Sequence, residues 1–139
     1  MRALPAVLRG ERRPVDVLFP DGTVDLVESV YRGNPVADLF NRVVAEAAAL
    51  WVKRRLAQDP NARIRVLEIG AGTGGTSAAV LALLAPFKAH IEEYGYSDLS
   101  RAFLLHAEEQ FVPRYPCVVP RLFDVSRPLV GQGIDVAGL

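Results

Sequence analysis

The hydrophobic positions of this chain follow two different periods, and the change from one to the other divides it. Apolar side chains recur at Val36, Leu39, Phe40, Val43, Val44, Ala47, Leu50 and Trp51, the three- and four-residue spacing of one helical face. Asn34 supplies an N-cap and Pro35 a pre-set first residue, and the helix is expected to end near Gln58-Asp59-Pro60. The stripe predicts a long amphipathic helix with Trp51 on its core face. From Ile64 to Ile69 the pattern becomes a short apolar run that enters a glycine cluster, the signature of a buried parallel strand. A helix over Ser77 to Leu84, closed by Pro86, leads to a second strand from about Ile91 to Tyr96. The turn Ser97-Asp98-Leu99-Ser100, a helix from Arg101 to about Phe111 and a third strand over Val118 to Phe123 follow, the last entering Asp124. Strand, helix, strand, helix, strand is half of a doubly wound α/β sheet. Residues 1–33 show little periodicity, broken by Pro5, Pro14, Pro20 and Asp21-Gly22, and read as a lead-in or lid segment ahead of a ligand-binding part at 34–139.

Composition narrows the partners. With 139 residues and half of them hydrophobic, the chain is sized for one domain with a substantial core. Sixteen basic residues balance sixteen acidic ones, which removes the broad electrostatic case for nucleic acid or an anionic membrane. Lys53-Arg54-Arg55 falls in the last turns of the first helix, where cations complement the helix dipole. No apolar run approaches the roughly 20 residues of a membrane span, and Ala3 to Leu8 is too short for a signal-peptide core. The single cysteine, Cys117, forms no internal disulfide and is too little for a structural zinc site, so a reduced, cytoplasmic setting without metal is expected.

The candidate chemistry sits where strands end. Gly70-Ala71-Gly72-Thr73-Gly74 joins the first strand directly to a helix, so main-chain N–H groups at a helix start lie open with no Cβ in the way. Gly70, Gly72 and Gly75 also satisfy G-x-G-x-x-G, so the glycines alone fit a dinucleotide equally well. Glu68, two residues before the first glycine, suits an amine-bearing ligand better than a pyrophosphate. Asp98, at the end of the second strand, is placed to accept from both hydroxyls of a ribose. It follows Gly70 by 28 residues, further than the roughly 20 of the dinucleotide fingerprint. Asp124 is placed to accept from the exocyclic amine of adenine, with Val125 flanking the ring. The alternatives are a nicotinamide-binding module and, for Asp98 and Asp124, ordinary turn residues.

Four segments, in order, resemble the carbon methyltransferase domains of modular polyketide synthases, especially bacterial ones of the trans-acyltransferase type. They are Val17 to Gly22, Tyr31 to Pro35, Glu68 to Thr76, and Tyr96 to Leu104, with Ser97 where that family often has Thr. The resemblance runs from about Val17 to the last residue. It implies a class I, Rossmann-like methyltransferase fold and S-adenosylmethionine as cofactor, held by Glu68, Gly70, Ala71, Gly72, Gly74, Asp98, Leu99, Asp124 and Val125. Glu68 then lies near the methionine end, and Tyr31, Asn34 and Asn41 lie on the approach that covers the cofactor. The implied reaction methylates the α-carbon of a β-ketoacyl chain on an acyl carrier protein, among neighbouring synthase domains. Two flanking carbonyls acidify that carbon, so a general base removes its proton and the enolate attacks the methyl in line. The family's base is a histidine supported by a glutamate, and neither His90 nor His106 occupies that position, so the catalytic residues are expected beyond Leu139. Such a piece is either part of an active enzyme or a structural docking remnant between synthase domains, since half a sheet leaves the strand of Glu68 at an edge.

Overall fold

The structure, a computed structural model, describes residues 3–12, 14, 17 and 34–133. A short helix α1 (Leu4–Leu8) carries a proline in its first turn, where the missing N–H costs nothing, and so Pro5 starts a helix in a stretch that shows no period. Helix α2 (Pro35–Gln58) is capped as the sequence predicts, the Asn34 side chain accepting from the N–H groups of Val36 and Ala37. It ends at Asp59, which Arg55 meets across one turn at 3.4 Å. Then come β1 (Ile64–Ile69), α3 (Gly75–Leu84), a single 3₁₀ turn (Ala85–Phe87), β2 (Ile91–Asp98), α4 (Arg101–Gln110) and β3 (Val118–Leu122). Pro86 lies within the 3₁₀ turn, and β2 runs two residues past Tyr96 because Ser97 and Asp98 pair with Arg121 and Leu122 of β3.

The three strands are parallel in the order β1-β2-β3, and among the described residues β1 has a strand neighbour on one side only. Both crossovers step in the same direction, and two right-handed crossovers of that kind place their helices on one face of the sheet. Side chains agree. Ser77 of α3 reaches Glu68 and Tyr94, and Phe111 at the end of α4 packs on Tyr96, all on the face that also carries Val66 and Val118. On the opposite face Glu93 lies between Arg65 and Arg121, at 3.9 and 2.9 Å.

The buried side of α2 differs from the one its strongest period predicts. Trp51 is 58% exposed, and Leu39, Phe40, Val43, Val44 and Leu50 are exposed with it. The core is built from the other side of the helix, where Ala45 and Val52 are buried and Ala48, Ala49 and Leu56 pack beside them. Small side chains there let α2 approach α3 closely, with Asn41 reaching the first turn of α3. The expectation of a core position for Trp51 is therefore wrong for the described residues. The helix carries apolar residues on two sides, and periodicity cannot rank them.

Candidate cofactor site

The site is assembled at the carboxyl ends of the parallel strands, where open α/β sheets bind their ligands. Glu68 on β1 lies beside Tyr96 on β2, and Asp98 ends β2 beside Leu122 of β3, two residues before Asp124. Register thus sets Glu68 and Asp98 toward one end of the sheet, and Asp124 follows two residues after β3.

Between the first two runs the glycine loop, tied down almost entirely by β2. The Ser97 carbonyl accepts from the N–H groups of both Gly70 and Ala71, at 2.9 and 3.0 Å. Asp98 Oδ2 accepts from Gly72 N–H at 3.0 Å, and the Tyr96 hydroxyl donates to the Gly72 carbonyl at 2.5 Å. Ser97 Oγ donates to the Glu68 carbonyl at 2.6 Å, closing the base of the loop. Gly74 turns the chain into α3 with φ +79°, and a Cβ there would fall 2.5 Å from the Phe111 ring. At Gly70 the opposite holds: φ is +74° and a Cβ would meet nothing within 4 Å, so the loop is backed by protein at Gly74 and open at Gly70. Helix α3 starts without a side-chain cap, so its first N–H groups have no side-chain acceptor.

Glu68 lies on the helix-covered face. Its Oε2 accepts from Ser77 Oγ at 2.5 Å and from Tyr94 Oη at 2.7 Å, leaving Oε1 without a partner among the described residues. Burial raises its carboxyl above the usual range, opposed by the two hydroxyl donors. Burial, followed by the Glu68 charge, raises Tyr94 and Tyr96 as well, and both phenols stay neutral at physiological pH.

Asp98 uses Oδ2 for Gly72 and Oδ1 for Ser100 N–H at 2.8 Å, so it is a loop brace as well as a strand-end acid. Each carboxylate oxygen has two acceptor sites, so both keep one for a hydroxyl. Asp124 Oδ1 accepts from Ser126 N–H and Oγ, at 2.9 and 2.6 Å, and the Ser126 donors hold its carboxyl below the usual range. Leu99, just after β2, and Val125, shortly after β3, are 66% and 75% exposed. Asn34 is a helix cap, Asn41 Oδ1 accepts from Thr76 Oγ1 at 2.8 Å, and Tyr31 lies outside the described residues. His106 packs edge-on against Phe111, and His90 sits in the turn before β2. The residues that sequence reasoning missed are Ser77, Tyr94, Tyr96 and Phe111. Two tyrosines at alternate positions of β2, on the face that Glu68 must share, were the available signal.

No family model matches the chain. It is 49% identical over 138 residues to polyketide synthase PksR of Bacillus subtilis (strain 168), covering 99% of this chain and 5% of that protein. To polyketide synthase ThaQ of Burkholderia thailandensis it is 45% identical over 132 residues, covering 95% of this chain and 6% of the relative. Among solved structures, the DszA carbon methyltransferase superposes with a TM-score of 0.76 at 40% identity, over 96% of this chain and 34% of that one. The CurJ carbon methyltransferase gives 0.75 at 32% identity, over 95% and 33%. In sequence and in fold the chain belongs with the class I carbon methyltransferase domains of polyketide synthases, of which it spans about a third.

Proposed function

We propose that this chain forms the cofactor-binding part of an S-adenosylmethionine-dependent carbon methyltransferase. Its substrate is the α-carbon of a β-ketoacyl chain carried on an acyl carrier protein within a polyketide synthase. The observation that carries the cofactor is the open glycine loop set between two carboxylates of different character. Where a Cβ at Gly70 would stand there is space for a ligand. On one side Glu68, two residues before Gly70, commits Oε2 to Ser77 and Tyr94 and keeps Oε1 without a partner among the described residues, an acceptor suited to an ammonium. On the other, Asp98 keeps an acceptor site on each oxygen for vicinal hydroxyls. Asp124 and Val125 stand at the next strand end for an adenine ring. An amine, a ribose and a purine in that order describe S-adenosylmethionine and not a pyrophosphate-linked dinucleotide.

S-adenosylmethionine, when bound, supplies an electrophilic methyl on its sulfonium. The chain's own contribution is to orient that group. Gly72 is held from both sides, its N–H by Asp98 and its carbonyl by Tyr96, so the loop is set before a ligand arrives and little ordering is left for binding. The polyketide synthase relatives support the acyl substrate and its carrier.

Calorimetric titration of the 139-residue chain with S-adenosylmethionine, S-adenosylhomocysteine and NAD tests the cofactor assignment. Binding of the first two without NAD is expected. Binding of NAD alone, or of none of the three, overturns it. Asp98→Ala removes the ribose acceptor and the Gly72 brace together and is expected to weaken S-adenosylmethionine by more than about 1 kcal/mol, roughly fivefold or more in Kd.

A further inference from the structure

The segment after β3 is shaped by one side chain. The Gln132 amide reaches back across the loop, its Oε1 accepting from Asp124 N–H at 2.9 Å. Its Nε2 donates to the carbonyls of Asp124, Arg127 and Pro128, at 3.0, 3.2 and 2.8 Å. Two N–H bonds serve three carbonyls, so one is shared. The amide orientation is fixed chemically, since the reverse would set an oxygen against those carbonyls and an NH₂ against an N–H. Beyond Gln132, the Arg121 guanidinium donates from Nη1 to the Gly133 carbonyl at 2.9 Å while its Nη2 holds both oxygens of Glu93. The near end of loop 124–133 is thus gathered on Gln132, and its far end is pinned to β2 and β3.

We propose that Gln132 is the positioning residue for the nucleobase side of this site, holding Asp124 and Val125 where an adenine ring meets them. This rests on reading the ligand as S-adenosylmethionine. The argument is one of main-chain supply. Asp124 has its N–H on Gln132 and its carbonyl shared between the Gln132 amide and the Arg127 N–H, so that amide holds its backbone from both sides, while Ser126 fixes one carboxylate oxygen. Val125, the next residue, is largely exposed among the described residues and offers an apolar wall. A loop so ordered presents its acceptor and its apolar wall without loss of further freedom on binding. Gln132 itself touches only main chain and acts through Asp124.

The test compares Gln132→Met, which keeps the volume and removes all four bonds, with the unsubstituted chain. Hydrogen exchange at the Asp124 N–H is expected to accelerate by about tenfold or more. The preference for S-adenosylhomocysteine over S-inosylhomocysteine, which lacks the exocyclic amine, is expected to fall by about fivefold with the thermal midpoint little changed. Gln132→Asn, whose amide falls one carbon short of those carbonyls, is the second variant and should behave alike. If both variants keep the protection and the preference, the inference is overturned while the cofactor reading stands. If the unsubstituted chain binds both ligands equally, or neither, the adenine reading falls and takes the inference with it.

Discussion

Glu68 illustrates how a residue's sequence position and its partners carry different information. Its place two residues before the glycines is readable from the chain, and with it a carboxyl group beside the loop. Its partners are not readable, because Ser77 and Tyr94 come from α3 and β2 and meet it only once the sheet has paired. Tyr94→Phe removes a donor to a buried charged acceptor, so it is expected to cost about 2 kcal/mol by urea unfolding at neutral pH. The same change withdraws a bond that lowers the Glu68 carboxyl, which should move still higher in a carbon-detected NMR titration. Gly74 is the other residue where the fold allows no latitude. Its φ of +79° penalises any L side chain, and a Cβ 2.5 Å from Phe111 must displace a buried ring. Gly74→Ala is therefore expected to destabilise the chain by about 3 kcal/mol, strain and overpacking together, whereas the fingerprint glycine Gly75 would meet only the Asn41 side chain at 3.2 Å.

At the scale of elements, punctuation was more legible than orientation. Asn34-Pro35 and Gln58-Asp59-Pro60 mark both ends of α2, since a cap and a proline act on the local backbone and need no tertiary context. Which side of α2 faces the core depends on what lies opposite it, and the residues that touch α3 are small ones that contribute little to a hydrophobic stripe. Two neighbours on that helix separate the possibilities. Val52 is 2% exposed among the core residues, and Val52→Ala is expected to cost about 2 kcal/mol. Trp51→Ser, a far larger deletion one residue away, is expected to stay within about 0.5 kcal/mol of the parent, as exposed substitutions do. Trp51 is the chain's one tryptophan, so its fluorescence reads the same point directly. An emission typical of a hydrated indole, quenched by iodide, is expected, and a blue-shifted, protected emission would return Trp51 to an interface.

The molecule as a whole joins these scales through one buried cluster. The parallel half-sheet was legible because alternating strand and helix signals leave few topologies, and the candidate site at the carboxyl ends of the strands follows from that topology. What the sequence could not show is that the loop's supports are ionisable groups, two buried tyrosines and the half-buried Glu68, packed beneath it. Burial raises Glu68, Tyr94 and Tyr96 together, and the Glu68 charge adds to the effect at both tyrosines. The folded chain therefore holds these protons more tightly than the unfolded one. The Glu68 contribution is complete below its ordinary value of 4.5 and is lost as pH rises through its raised value. The contribution of the tyrosines is complete below 10.0 and is lost above it, because the unfolded chain releases its phenol protons first. Asp124 runs the other way, its lowered carboxyl stabilising above 3.8 and losing that effect as pH falls, but it is exposed and its weight is small. Two protons withheld on the alkaline side imply that unfolding free energy falls by about 2.7 kcal/mol per pH unit once well above pH 10. A urea-unfolding series through that range checks it. Tyr96→Phe deletes one of the two withheld protons and should halve the slope, whatever it does to stability at neutral pH. An unchanged slope would mean that Tyr96 ionises as freely in the folded chain as in the unfolded one, and that its bond to the Gly72 carbonyl does not hold the loop.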